Sequence, residues 1–136
     1  EDLREVYMPK RHTFFPQLME ITLERGIQVI FGRGLAMTSF GKGAVRIMLS
    51  DVPEGKYKVM LNYHESPKGA DFQIWQRQNR LTEWISTKAS KDSYTENVYV
   101  GDIQLTSQTN SITVHVQDNG DANLFELTLI TLERIE

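Results

Sequence analysis

The sequence predicts an all-β domain, a β-jelly-roll sandwich of two antiparallel sheets. Three observations carry that prediction. Apolar and polar residues alternate with period two in segment after segment, the mark of half-buried strands. Turn-forming residues interrupt those segments at about 8–12-residue intervals, the spacing of sandwiches and barrels. Helical signal is scarce, and its best stretch, residues 2–7, is too short to stand alone.

The elements follow in chain order. Residues 1–18 read as a lead-in or linker packed on the sandwich, and 19–136 as the sandwich itself. Within the lead-in, Pro9, His12, Phe14, Phe15 and Pro16 make an irregular segment whose two phenylalanines pin it down; the alternative is a linker from a preceding domain. Gly32, Gly34, Gly41 and Gly43 bound the early strands. Over 44–49, Val45, Ile47 and Leu49 share one face, with Arg46 and Met48 on the other. Pro53-Glu54-Gly55 is a turn, since Pro fixes φ and Gly accepts φ > 0. Over 55–64, Tyr57, Val59, Leu61 and Tyr63 point one way, with Lys56, Lys58, Met60 and Asn62 opposite. Ser66-Pro67-Lys68-Gly69 turns the chain into 71–75, where Phe72 and Ile74 share a face. Residues 82–89 are ambiguous, but Ile85, Ser86 and Thr87 favour a strand. Val98, Val100, Ile103 and Leu105 belong to one strand with a bulge or bend near Gly101-Asp102. Over 111–117, Ile112, Val114 and Val116 alternate with Thr113 and His115. Polar turns at 107–110 and 118–121 lead to a closing strand through Leu124, Phe125, Leu127, Leu129 and Leu132.

Composition excludes several classes. A chain of 136 residues with 40% hydrophobic and 24% charged residues is one globular domain. The net charge of −3, with both signs interspersed, provides no basic face for nucleic acid. No apolar run approaches the roughly 18–20 residues that span a bilayer. There is no cysteine, which removes disulfides, thiolate nucleophiles and the common structural zinc sites.

Catalytic signals are weak. His12, His64 and His115 sit in no metal-ligand spacing and read as surface or rim residues. No Gly-x-Ser-x-Gly elbow, P-loop or dinucleotide fingerprint is present. Glycoside hydrolysis needs two carboxylates at a set separation. Glu65, Asp71, Glu83 and Asp121 are candidates, but a chain with 18 acidic residues supplies such pairs by chance. The aromatics are more telling. Alternation sends Trp75 away from inward Ile74, and Trp84 away from Ile85. Tryptophan is usually well buried. A flat indole off the core suits stacking on a sugar ring at low entropic cost. Arg77, Gln78, Asn79 and Arg80 lie between the two tryptophans and suit hydroxyls or carboxylates. The plainer reading is that both indoles pack on a loop, the lead-in or another domain.

Several short motifs resemble galactose-binding-like carbohydrate-binding modules of the family-six-like kind. Gly55-Lys56-Tyr57-Lys58-Val59, after Val52-Pro53, resembles their G-x-Y-x-V strand. Gly69-Ala70-Asp71-Phe72-Gln73-Ile74 is similar to the next strand, with Arg77-Gln78-Asn79-Arg80 where those modules usually have an Asp-Gly turn. Residues 100–116 resemble their paired strands, and Ala122-Asn123-Leu124-Phe125-Glu126 resembles the closing motif, with Glu126 in place of Asp. The resemblance covers roughly residues 44–134. Related jelly rolls form accessory domains of Bacteroidetes-type polysaccharide-degrading enzymes. The resemblance implies a non-catalytic module, periplasmic or extracellular, attached to a catalytic domain of the same polypeptide. It implies a loop-edge cleft in which Tyr94 and Phe40 hold the sugar and Asn123 hydrogen-bonds it; those modules usually have Tyr or Trp where Phe40 stands. It also implies a structural calcium with Glu20 and Glu126 among its ligands.

Three readings remain open. The first is a module binding an oligo- or polysaccharide through Tyr94, Trp84 and Asn123, with Trp75, Arg77 and Phe40 contributing. The second is a structural domain packing on a catalytic domain or a second protomer. The third is a small hydrolase, which requires two carboxylates converging in a pocket. Tryptophans lining a loop-edge cleft favour sugar; tryptophans on a flat sheet face continuous with Met48 or Met60 favour docking.

Overall fold

The computed structural model describes residues 10–24 and 26–135. Its strands are β1 (Arg11–Phe14), β2 (Ile21–Leu23), β3 (Ile27–Phe31), β4 (Leu35–Ser39), β5 (Lys42–Met48), β6 (Gly55–Glu65), β7 (Asp71–Gln76), β8 (Asn79–Arg80), β9 (Ile85–Ser86), β10 (Ser93–Leu105), β11 (Ser111–Gln117) and β12 (Leu124–Ile135). One 3₁₀ turn, Pro16–Leu18, follows β1. The first sheet runs β10-β6-β12-β4-β3, with β1 also on β12; the second runs β2-β5-β11-β7-β8, with β9 also on β7. All the strand pairs are antiparallel. The two-sheet sandwich is the predicted fold.

The core is the set of inward residues that alternation selected. Tyr57, Val59, Leu61 and Tyr63 of β6 face Val45 and Ile47 of β5, Phe72 and Ile74 of β7, and Ile112, Val114 and Val116 of β11; all are buried. Phe72 stacks on Phe125 across the sheets at 4.4 Å, and Tyr63 meets Phe72 edge-on at 5.0 Å. Such offset and edge contacts add to the area these rings bury. The Tyr57 hydroxyl donates to the Pro53 carbonyl at 2.7 Å, so the only polar atom of that buried ring has a partner.

The closing strand departs from strict alternation. Leu127 pairs with Tyr63 and Leu129 with Asn62, leaving Thr128 as a bulge. The Thr128 hydroxyl donates to the Asn62 carbonyl at 3.0 Å. One extra residue switches parity, so Phe125 and Leu127 before it, and Ile130 and Leu132 after it, all reach the core. On the other edge of β12, pairing passes from β4, ending at Leu127–Leu35, to β1, starting at Ile130–Phe14. Residues 11–14, expected as irregular lead-in, are thus a strand, because β12 runs past β4 and offers a free edge. Phe14 packs against the core as expected, while Phe15 is exposed. The possible helix at 2–7 lies outside the described residues. The bulge expected near Gly101 falls between Tyr99 and Gly101; a second lies between Thr95 and Val98.

Gly34 is required where β4 starts beside the β12 bulge. A Cβ there would sit 2.6 Å from the Leu127 carbonyl oxygen, whereas one on Gly32 meets nothing within 4 Å. Gly34→Ala should therefore cost about 1–3 kcal/mol through overpacking, and Gly32→Ala should leave stability nearly unchanged. Urea unfolding of the two variants checks the contrast.

Candidate functional site

Inward Phe72 and Ile74 leave Gln73 and Trp75 no choice but the outer face of the second sheet. Register sets their neighbours: Trp75 pairs with Thr113, which pairs with Arg46; Gln73 pairs with His115, which pairs with Ala44. The Trp75 Nε1–H donates to Gln73 Oε1 at 2.7 Å, and its ring lies 5.4 Å from the His115 imidazole. Gln73 is only 5% exposed although it points away from the core. Trp84 precedes β9, whose Ser86 pairs with Asp71, and is half-buried. The Lys42 ammonium stands 6.0 Å from its ring centre, at the reach of a cation–π contact. The two tryptophans thus belong to one outer face, where the Gln73 amide oxygen accepts from Trp75.

A groove of about 420 Å³ opens on the same face, bordered by Thr113, the register partner of Trp75; neither tryptophan lines it. Arg46, Met48, Ser111 and Thr113 line it from the sheet; Arg77 and Gln78 line it from the β7–β8 hairpin, and Glu24 stands at its other side. The hairpin has two central residues, since Gln76 pairs with Asn79. Arg77 occupies the first with φ of 53°. A left-handed conformation there suits Gly or Asn; a long side chain carries strain of about 1–3 kcal/mol. Arg46 and Arg77 form no hydrogen bond or ion pair among the described residues, whereas Arg80 pairs with Glu83 at 3.1 Å. Burial holds the His115 pKa below its ordinary 6.5, and the Glu24 carboxylate partly offsets this.

Of the remaining site residues, Phe40 and Asn123 share one loop end of the sandwich. Phe40, 60% exposed, sits in the β4–β5 turn. The Ser39 amide donates to the Asn123 carbonyl at 3.1 Å, and Asp118 ties the turn by accepting from the Ser39 hydroxyl and the Gly41 amide. Phe40 and Asn123 are therefore brought together. Tyr94 is exposed on the outer face of the first sheet, tilted over His64 at 4.9 Å. His64 lies 3.2 Å from Asp92 and 3.7 Å from Glu126. Tyr94 and Trp84 stand on different sheets and do not form one aromatic pair.

The residues implied for calcium do not fit it. Glu126 lies against His64 in the first sheet; Glu20 is exposed beside β2 of the second. Calcium takes six to eight oxygens, and among the described residues no three His, Asp or Glu side chains group to hold a metal.

Two-sheet topology and strand register make the chain a β-jelly-roll sandwich, a fold it shares with carbohydrate-binding modules. It belongs to the family described as Domain of unknown function (DUF8441), whose model matches residues 13–135. No curated protein matches it. Among solved structures it is similar to a GH26-CBM35 β-(1,4)-mannanase of Podospora anserina, with TM-score 0.58 and 18% identity, over 93% of this chain and 28% of that one. It is also similar to CBM86, a low-affinity xylan-binding module of Roseburia intestinalis, with TM-score 0.57 and 12% identity, over 90% of this chain and 94% of that one. A third is the CBM36-1 domain of a multidomain xylanase from the hindgut metagenome of Trinervitermes trinervoides, with TM-score 0.50 and 11% identity, over 93% and 98%. Identities this low establish the fold.

Sequence reading singled out both tryptophans and Arg77 but not Arg46, Gln73 or the groove. Alternation shows that Arg46 and Gln73 point outward; only the register of β5, β11 and β7 shows which neighbours they meet. His115 yields a direct test of the face. Its imidazole should titrate below 6.5 by NMR, and Glu24→Gln should lower the midpoint further. Because the folded pKa is depressed, its share of stability is present above 6.5 and is lost as pH falls from there through the folded value.

Proposed function

We propose that this domain is a non-catalytic glycan-binding module that holds its ligand on the outer face of the second sheet. The observation that carries the reading is the pair Trp75 and Trp84 on that face. Polar side chains accompany them, and a groove lined by neither indole opens on the same face. A docking face would have a largely apolar centre. Here Met48 is joined by Thr113, Ser111, Gln73 and His115, so the criterion of a flat face continuous with methionine is met only in part. Indoles supply stacking area with few torsions to freeze, and the side-chain amides and hydroxyls suit sugar hydroxyls. The likeness to the xylan-binding module and to the mannanase supports this class of ligand. It further supports a periplasmic or extracellular setting and a catalytic domain elsewhere in the polypeptide. Among the described residues, no helix is long and apolar enough to cross a membrane.

The first sheet favours a second role. Its outer face exposes Ile30 at 68% and Tyr99 at 56%. Ile30 pairs with Ala36 and Tyr99 with Met60. That surface suits packing against a neighbouring domain.

Trp75→Ala and Trp84→Ala should each weaken binding to a glycan selected from a polysaccharide panel at least tenfold, about 1.4 kcal/mol, with the melting temperature nearly kept. Isothermal titration supplies the affinities. Full affinity in both variants, with loss in Phe40→Ala, Tyr94→Ala or Asn123→Ala, would move the site to the loop end or the first sheet.

A further inference from the structure

We infer that the groove bordered by Arg46 and Arg77 is an anion subsite, so that the glycan bound on this face carries acidic substituents, uronate carboxylates or sulfate esters. The inference rests on the glycan-binding reading and deepens it. Two guanidinium groups border the groove from separate elements, Arg46 from mid-β5 and Arg77 from the β7–β8 hairpin. Neither is spent on a partner among the described residues. A guanidinium presents a planar fork that matches an oxyanion with two parallel hydrogen bonds. Polar Gln78, Asn110, Ser111 and Thr113 complete the lining and suit the hydroxyls of the same sugar.

The backbone singles out Arg77. A two-residue hairpin whose first residue has φ of 53° is a place for glycine, and the chain keeps arginine there. Strain of this kind collects where a side chain must be held in one place. Thr113 lines the groove and is the register partner of Trp75, so a chain of several sugars stacked on that indole and running along the face brings an acidic group to Arg77. Glu24 on the opposite side limits the negative charge the groove accepts. The geometry therefore favours a polymer with spaced acidic units over one charged at every residue.

The test uses the whole domain and paired probes: a glucuronoxylan and its carboxyl-reduced form, and a sulfated galactan and its desulfated form. Affinity electrophoresis and titration calorimetry read the binding. At least one acidic polymer should bind tenfold or more tighter than its neutral counterpart. That margin should shrink with added salt. The pair that shows the margin identifies the anion as carboxylate or sulfate. Arg46→Gln and Arg77→Gly should each abolish the margin, weakening the acidic polymer tenfold or more beyond any loss in its neutral counterpart. Arg77→Gly should also unfold at the same or a higher temperature, because glycine accepts the positive φ; this separates lost binding from lost folding. Equal affinity for acidic and neutral members of both pairs, or a margin that survives both substitutions, overturns the anion subsite and leaves the glycan reading standing. No binding to any of the four polymers overturns the glycan reading and the subsite with it.

Discussion

The bulge at Thr128 is the constraint on which the rest of the molecule depends. The closing strand β12 lies in the middle of the first sheet and must bury four apolar residues from a run that strict alternation would divide between two faces. The extra residue resets parity after Leu127, and the Thr128 hydroxyl takes up the Asn62 carbonyl there. At the same place β12 exchanges one outer neighbour, β4, for another, β1. Phe125 is held inward on one side of the bulge, and its contact with Phe72 couples the two sheets. Because Phe72 and Ile74 are fixed inward, Gln73 and Trp75 are fixed outward, and the candidate site follows from the core.

That chain of cause is the reason the proposed site is placed on the second sheet and not at the loop end. Trp75 is braced by Gln73 and His115, and Trp84 lies beneath Lys42. Trp75, fixed on a strand, loses little freedom when a ligand arrives. Phe40 stands in a turn with its ring largely open to solvent, and Tyr94 rests on His64 on the other sheet. The residues that the family resemblance points to do gather in part, since Phe40 and Asn123 share a loop cluster. The tryptophans form a separate surface.

Most of the fold was legible because half-buried strands write themselves as alternation, and β6, β7 and β11 do so plainly. What escaped was decided by distant pairing. Residues 11–14 carry no strand pattern of their own and become β1 because the end of β12 is free to receive them. The β12 bulge leaves no turn residue to mark it. Of the candidate site, the outward tryptophans were readable from their neighbours Ile74 and Ile85. The placement of Arg46 next to Thr113 and Trp75 was not, since it needs three strands in register. Arg77 drew notice as a hydrogen-bonding residue, but its left-handed backbone is visible only in the folded hairpin.

The most direct measurement is an NMR titration of isotopically labelled protein with a bound glycan, following backbone amides and the two indole Nε1–H signals. The account predicts that both indole signals move, together with the amides of Gln73, Trp75, Thr113 and His115. Shifts confined to the turns around Phe40 and Asn123, with both indole signals unmoved, would contradict it.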